Sequence, residues 1–162
     1  RRATMNFARI VFAAAFAVTA FALAGPACPA DANMQILMDK IKADKKLVVA
    51  HNMQLSDAES QKFWPLYDSY QKELESINTR MLKLINDYAG AYNKNAVNEA
   101  FAKKLVPEAL AIEQAEVDLR KIYADRVSKA VSAVAAARYL QIEGKIRAMV
   151  RYELAANIPL VP

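Results

Sequence analysis

Cysteine occurs once in the 162 residues, at Cys28, histidine once, at His51, and glycine three times. Each scarcity removes a class of chemistry or fold. A single thiol forms no disulfide within the chain. One imidazole, without a glycine-rich loop, supplies neither a nucleophile–base pair nor a phosphate cradle, so no catalytic constellation is visible and the chain reads as a binding protein rather than an enzyme. No alternating β-branched run bounded by turns appears, so a sheet has nothing to start from. The formal net charge of +5 is small for the length.

What is present begins with a leader. Arg9 precedes Ile10 to Ala24, about fifteen residues that are apolar except for Thr19. That run is shorter than the roughly 20 residues needed to span a bilayer. Pro26 and Pro29 break it before Ala30-Asp31-Ala32, a small-x-small cleavage site, so residues 1–32 read as a signal peptide cut after Ala32, with retention as an uncleaved anchor the alternative. Met5 is the natural start, which makes residues 1–4 upstream of the leader proper, and the hydrophobic residues a twin-arginine signal needs after Arg1-Arg2 are missing. Cleavage removes Cys28, three of the 22 basic and one of the 17 acidic side chains, leaving a net charge of about +3. That is too little to argue for nucleic acid. It also leaves no thiol and no stable membrane span. Residues 33–162 are long enough for one domain with its own core.

Apolar spacing of three and four runs through that domain. A first helix is expected over Asn33 to Ala50, with Met34, Leu37, Met38, Ile41 and Val48 on one face and Lys40, Lys42, Asp44 and Lys45 on the other. Ser56 stands three residues before Glu59, a capping box that starts a second helix, with Asp57 adding negative charge at its positive end. Phe63, Tyr67, Tyr70, Leu74, Ile77, Met81, Leu84 and Tyr88 then form an a/d seam, with Trp64 off it. The helix is expected to stop at Gly90, about 50 Å from its start. Pro65 predicts either a kink or a short helix to Trp64 and a fresh start. Asp68 and Lys72 form an i,i+4 pair on the solvated face, and Glu73 and Glu75 face different ways. A returning arm carries Phe101, Leu105, Ala109, Ile112, Ala115, Leu119 and Ile122, kinked or broken at Pro107. A last helix starting between Ser128 and Ser132 carries Ala135, Tyr139, Ile142, Ile146 and Met149 and ends before Pro159. The expected fold is all-α: a long antiparallel helical hairpin with a shorter N-terminal helix and a C-terminal helix. Because a/d seams serve equally inside one subunit and between two, the expectation extends to a dimer.

Two groups of residues are candidates for binding. His51 and Met53 put an imidazole and a thioether close together, soft ligands of the kind that suit copper, although two donors make an incomplete site. Residues 120–153 hold eight basic and three acidic side chains, whereas residues 56–91 hold four basic and six acidic ones. One reading is that the helices attract each other. The other is a steered, basic surface for acidic or unfolded polypeptides, centred on Arg138, Lys145, Arg147 and Arg151. No cofactor is expected.

Leu55-Ser56-Asp57-Ala58-Glu59, followed by a long amphipathic hairpin in an exported all-α chain, resembles the LTxxQ-motif family of periplasmic stress proteins, the Spy and CpxP type, over about residues 33–155. Ser56 stands where that motif has Thr and Glu59 where it has Gln. Where a second copy would precede the last helix there is only Val131-Ser132-Ala133-Val134-Ala135. Phe63-Trp64-Pro65-Leu66-Tyr67 and Arg138-Tyr139-Leu140-Gln141-Ile142-Glu143 also look like uncharacterised exported helical proteins of bacteria. The resemblance implies a hairpin subunit, two of which clasp antiparallel into a cradle that holds unfolded clients without ATP. Relatives in the same broad group bind zinc or copper. The expected function is therefore a periplasmic, ATP-independent, chaperone-like or stress-related protein whose partners are unfolded or envelope proteins. The alternatives are a metal-binding sensor or resistance protein and a structural subunit of an envelope assembly.

Overall fold

A computed structural model describes residues 43–162, so the leader, its cleavage site, Cys28 and much of the expected first helix lie outside the described residues. Among the described residues there are four helices and no strand: α1 over 43–53, α2 over Asp57–Asn93, α3 over Glu99–Ala130 and α4 over Ala133–Asn157. The all-α hairpin architecture is as expected, with α2 and α3 as its arms and α4 returning along them. None of these helices is long and apolar enough to cross a membrane.

Local chemistry accounts for most of the boundaries. Ser56 caps α2 through the expected box, Asn98 accepts from the Phe101 amide at 3.0 Å to open α3, and Ser132 accepts from the Ala135 amide at 3.2 Å to open α4. The stop of α2 differs from expectation. Gly90 lies inside the helix without a positive φ, and the chain instead turns at Asn95, which adopts φ 53°. There the Ala96 amide donates to the Ala91 carbonyl at 2.8 Å and the Asn95 amide to the Tyr92 carbonyl at 3.1 Å, a Schellman closure with asparagine in the left-handed position. Neither proline divides its helix: α2 continues through Pro65 and α3 through Pro107. α1 runs to Met53, three residues past the expected end, and Gln54 follows it at φ 51°.

Two apolar clusters hold the helices together. The larger joins Val49 and Met53 of α1, Phe63, Tyr67, Tyr70 and Leu74 of α2, Leu119, Tyr123 and Val127 of α3, and Ala135, Ala136 and Tyr139 of α4. Its rings meet edge to face: Phe63 and Tyr139 at 5.0 Å, Tyr70 and Tyr123 at 5.2 Å, Phe63 and Trp64 at 5.1 Å between centroids. Trp64, off the seam, packs on this cluster at its rim, with the Lys46 ammonium 5.3 Å above its ring. The smaller cluster, at the hairpin's closed end, is built on Ile85, Tyr88 and Ala89, with Phe101, Leu105, Leu154 and Ile158 packed against them. The Tyr88 hydroxyl donates to the Pro159 carbonyl at 2.9 Å and ties down the C-terminal tail.

The expected seam is buried from Phe63 to Leu74 and again at Tyr88, with a local shift between them. Ile85 is buried where Leu84 was expected, because a straight helix of 3.6 residues per turn falls behind a 3.5-residue repeat by about 20° per heptad. The first helix is also out of phase with expectation. Val49, not Val48, is fully buried, and the turn that buries Val49 and Met53 carries Lys45 inward with them.

Candidate functional site

The capping motif is the first feature that the fold extends. Leu55 packs against the main core, and the Ser56–Glu59 box is fully formed: the Glu59 amide donates to Ser56 Oγ at 3.3 Å and the Ser56 amide to Glu59 Oε2 at 3.2 Å. The second carboxylate oxygen of Glu59 accepts from the Ser132 amide at 2.9 Å. Ser132 is the N-cap of α4, whose own third residue, Ala135, has no carboxylate to return the bond, and whose first turn has no acidic residue. Glu59 thus completes two capping boxes, one on its own helix and one 73 residues further on, and places its charge at the positive ends of both helices. The Ser132 amide, followed by the Ser56 amide and hydroxyl, holds the Glu59 carboxyl down at a pKa of about 2, against an ordinary 4.5. The missing second motif is therefore replaced across space by the first.

Beneath the α1–α4 contact lies a charged group the sequence did not single out. Glu143 is 4% exposed. Its carboxylate accepts from Lys45 Nζ at 2.9 Å and from Gln71 Nε2 at 3.1 Å, and Lys45 also donates to Gln71 Oε1 at 2.9 Å. Lys45, expected on the outer face, is instead the inward partner of a buried ion pair. Around it stand Tyr67, Tyr70 and Tyr139, whose phenol pKa values are raised, chiefly by burial and further by the Glu143 charge. The Tyr70 and Tyr139 hydroxyls and Nε of Arg120 and Arg147 are buried without hydrogen-bond partners among the described residues. Tyr123 fares otherwise: its hydroxyl donates to Glu73 Oε1 at 2.6 Å, so Glu73 is not a purely solvated residue. Asp68 pairs across helices with Lys46 at 2.7 Å in place of the expected partner, Lys72.

The four basic candidates separate into two pairs. Arg147 and Arg151 point at α3, where Arg147 pairs with Glu116 and Arg151 with Glu116 at 3.3 Å and Glu113 at 3.7 Å. Arg147 is largely buried there, and burial lowers its pKa. These two arginines hold α4 to α3, through partners that lie outside the acidic 56–91 stretch to which the charge distribution pointed. Arg138 and Lys145 lie on the opposite edge of α4. Arg138 Nη1 donates to the Met53 carbonyl at 3.0 Å, capping the C-terminal end of α1, and with Lys145, Asn52, Gln54, Gln141 and Ile142 it lines an open depression of about 320 Å³.

The metal candidates are not brought together. His51 is exposed, whereas Met53 is 1% exposed in the core, two residues further round the helix, where its thioether fills space rather than offering an electron pair. Among the described residues no three His, Cys, Asp or Glu side chains cluster closely enough to hold a metal ion.

No family model, curated protein or solved structure matches this chain.

Proposed function

We propose that this chain is an exported, ATP-independent binding protein of chaperone-like or stress-related type, which holds other polypeptides on the outer faces of its helices. The observation that carries this reading is the amount of apolar side chain left outside the two cores. Val106 and Leu110 of α3 are 57% and 60% exposed, and Val134 and Tyr152 of α4 are 69% and 72% exposed. Large apolar side chains repeated along a helix face are the usual mark of an interaction surface. The signal-peptide-like leader supports a periplasmic setting, and the Leu55-Ser56-Asp57-Ala58-Glu59 motif supports kinship with helical envelope stress proteins. Partners of this kind are unfolded or envelope proteins, with a second copy of the chain as a further one.

The test is light scattering from an aggregating, unfolded client. Stoichiometric protein is expected to suppress the rise without ATP; an unchanged trace would overturn the proposal. A permanent place in an envelope assembly is the second reading, favoured by Val106, Leu110 and Val117, which recur at i, i+4 and i+11 along α3 like a fixed helix-packing stripe. A solution mass that stays at one defined oligomer with and without client would favour it.

A further inference from the structure

On α4, Val134, Arg138, Gln141, Lys145, Met149 and Tyr152 follow one another at intervals of four, three, four, four and three. They share one edge of the helix, on the side away from the Arg147 and Arg151 ion pairs. Val134, Met149 and Tyr152 are 69%, 49% and 72% exposed, and Gln141 and Lys145 are exposed. This edge carries two cations and no carboxylate. Glu143, the acidic residue nearest the two cations in sequence, is buried and committed to Lys45, and the exposed Glu153 follows Tyr152 at the far end of the edge. Lys145 has no ion-pair partner among the described residues, and Arg138 is held in place at the lip of the depression by its bonds to the Met53 carbonyl and, at 3.4 Å, to Gln54 Oε1. Two cations thus lie at the middle of a face about 27 Å long, with Val134 at one end and Met149 and Tyr152 at the other.

We infer that this edge of α4 docks an extended polypeptide segment of about eight residues in which a central carboxylate is flanked by aliphatic side chains. One carboxylate enters the depression between Arg138 and Lys145, and apolar side chains lie on Met149 and Tyr152 beyond it. The choice of an acidic partner follows from charge: a strand carrying Lys or Arg would meet two cations that no carboxylate among the described residues neutralises, whereas Asp or Glu finds complementary donors already placed. The inference rests on the polypeptide-binding reading above and gives it a place and a chemistry.

The test uses the purified protein and two fluorescent peptides, one with a central Glu flanked by Leu residues and one with Lys in its place, read by anisotropy. The acidic peptide is expected to bind at least about tenfold more tightly, and less so at high salt. Lys145→Glu should weaken it about fivefold or more and strengthen the lysine peptide. Tyr152→Ser should weaken it about threefold, and Lys129→Glu, on α3, should leave it unchanged. All three positions are exposed, and an unshifted urea midpoint for each variant shows that the fold is intact. Equal binding of the two peptides, parent-like binding by both the Lys145 and Tyr152 variants, or a dimer in which Tyr152 is covered by a second copy would each overturn the inference. The client assay separates the two proposals. Suppression of aggregation that survives in the double Lys145→Glu, Tyr152→Ser variant would refute this face and spare the broader function. Peptide binding without suppression would do the reverse.

Discussion

Replacing Lys45 with methionine leaves the Glu143 carboxylate 4% exposed, facing the Gln71 amide and three tyrosine rings, with its ion-pair partner removed. Breaking one partner of a buried pair costs about 3–5 kcal/mol when both charges are fully desolvated. Lys45 retains 16% of its side-chain exposure, so some water reaches the pair and about 2–3 kcal/mol is the expected loss. Glu143→Met should cost less, about 1–2 kcal/mol, because the lysine left behind has a four-carbon stem on which to carry its ammonium out to solvent, and glutamate at the foot of the contact does not. The double variant, with two apolar chains of similar length, should return to within about 1 kcal/mol of the parent. The coupling energy is then at least about 2 kcal/mol. Urea denaturation with a common slope measures each corner of the cycle. In a thermal scan the Lys45→Met change corresponds to a fall of about 8–12 °C. Single variants that each cost under about 0.5 kcal/mol and simply add in the double would refute the assignment of this pair as a buried, coupled unit.

Glu59→Gln tests the shared cap through pH. The carboxyl is held near 2 in the fold against 4.5 without it, so its stabilisation is fully present above about 4.5 and is lost as pH falls towards 2. The urea midpoint of the variant should sit below the parent's at neutral pH and converge with it near pH 2; a gap that persists there would argue against the charge as the cause. Among the tyrosines, Tyr139→Phe removes a buried hydroxyl without a partner and should be neutral or stabilising by up to about 1 kcal/mol, whereas Tyr123→Phe loses the 2.6 Å bond to Glu73 and should cost about 1 kcal/mol. Equal losses in urea titrations would contradict this difference. Because burial raises the phenol pKa values of Tyr67, Tyr70 and Tyr139 above 10, stability should fall as pH rises past about 10, with their phenolate absorbance appearing together with unfolding rather than before it. Gly144→Ala should stabilise by about 0.5–1 kcal/mol, since the residue lies inside α4 and an added methyl would meet nothing within 4 Å; a drop in melting temperature would refute that.

The residues themselves determine that this chain is helical and where most of its helices begin. Ser56, Asn98 and Ser132 each cap the amides a few positions ahead, and the hydrophobic period of α2 is legible from Phe63 to Leu74, because these are relations within one or two turns of chain. The asparagine turn at Asn95 was open to reading in principle, since asparagine tolerates the left-handed conformation, but Gly90 carried the stronger local signal and proved to be an ordinary helical residue. Tertiary structure decided the rest. Whether Lys45 points outward or onto Glu143 depends on a helix 98 residues away, and a one-residue change of phase, 100° about the helix axis, reverses it. Which of the four cations on α4 are spent on Glu113 and Glu116, and which stay at the free edge, depends on the side from which α3 approaches. The capping motif lies between the two kinds of information. Ser56 and Glu59 announce one helix start from spacing alone, and only the fold brings the unused oxygen of Glu59 to the Ser132 amide, where the same carboxylate starts a second.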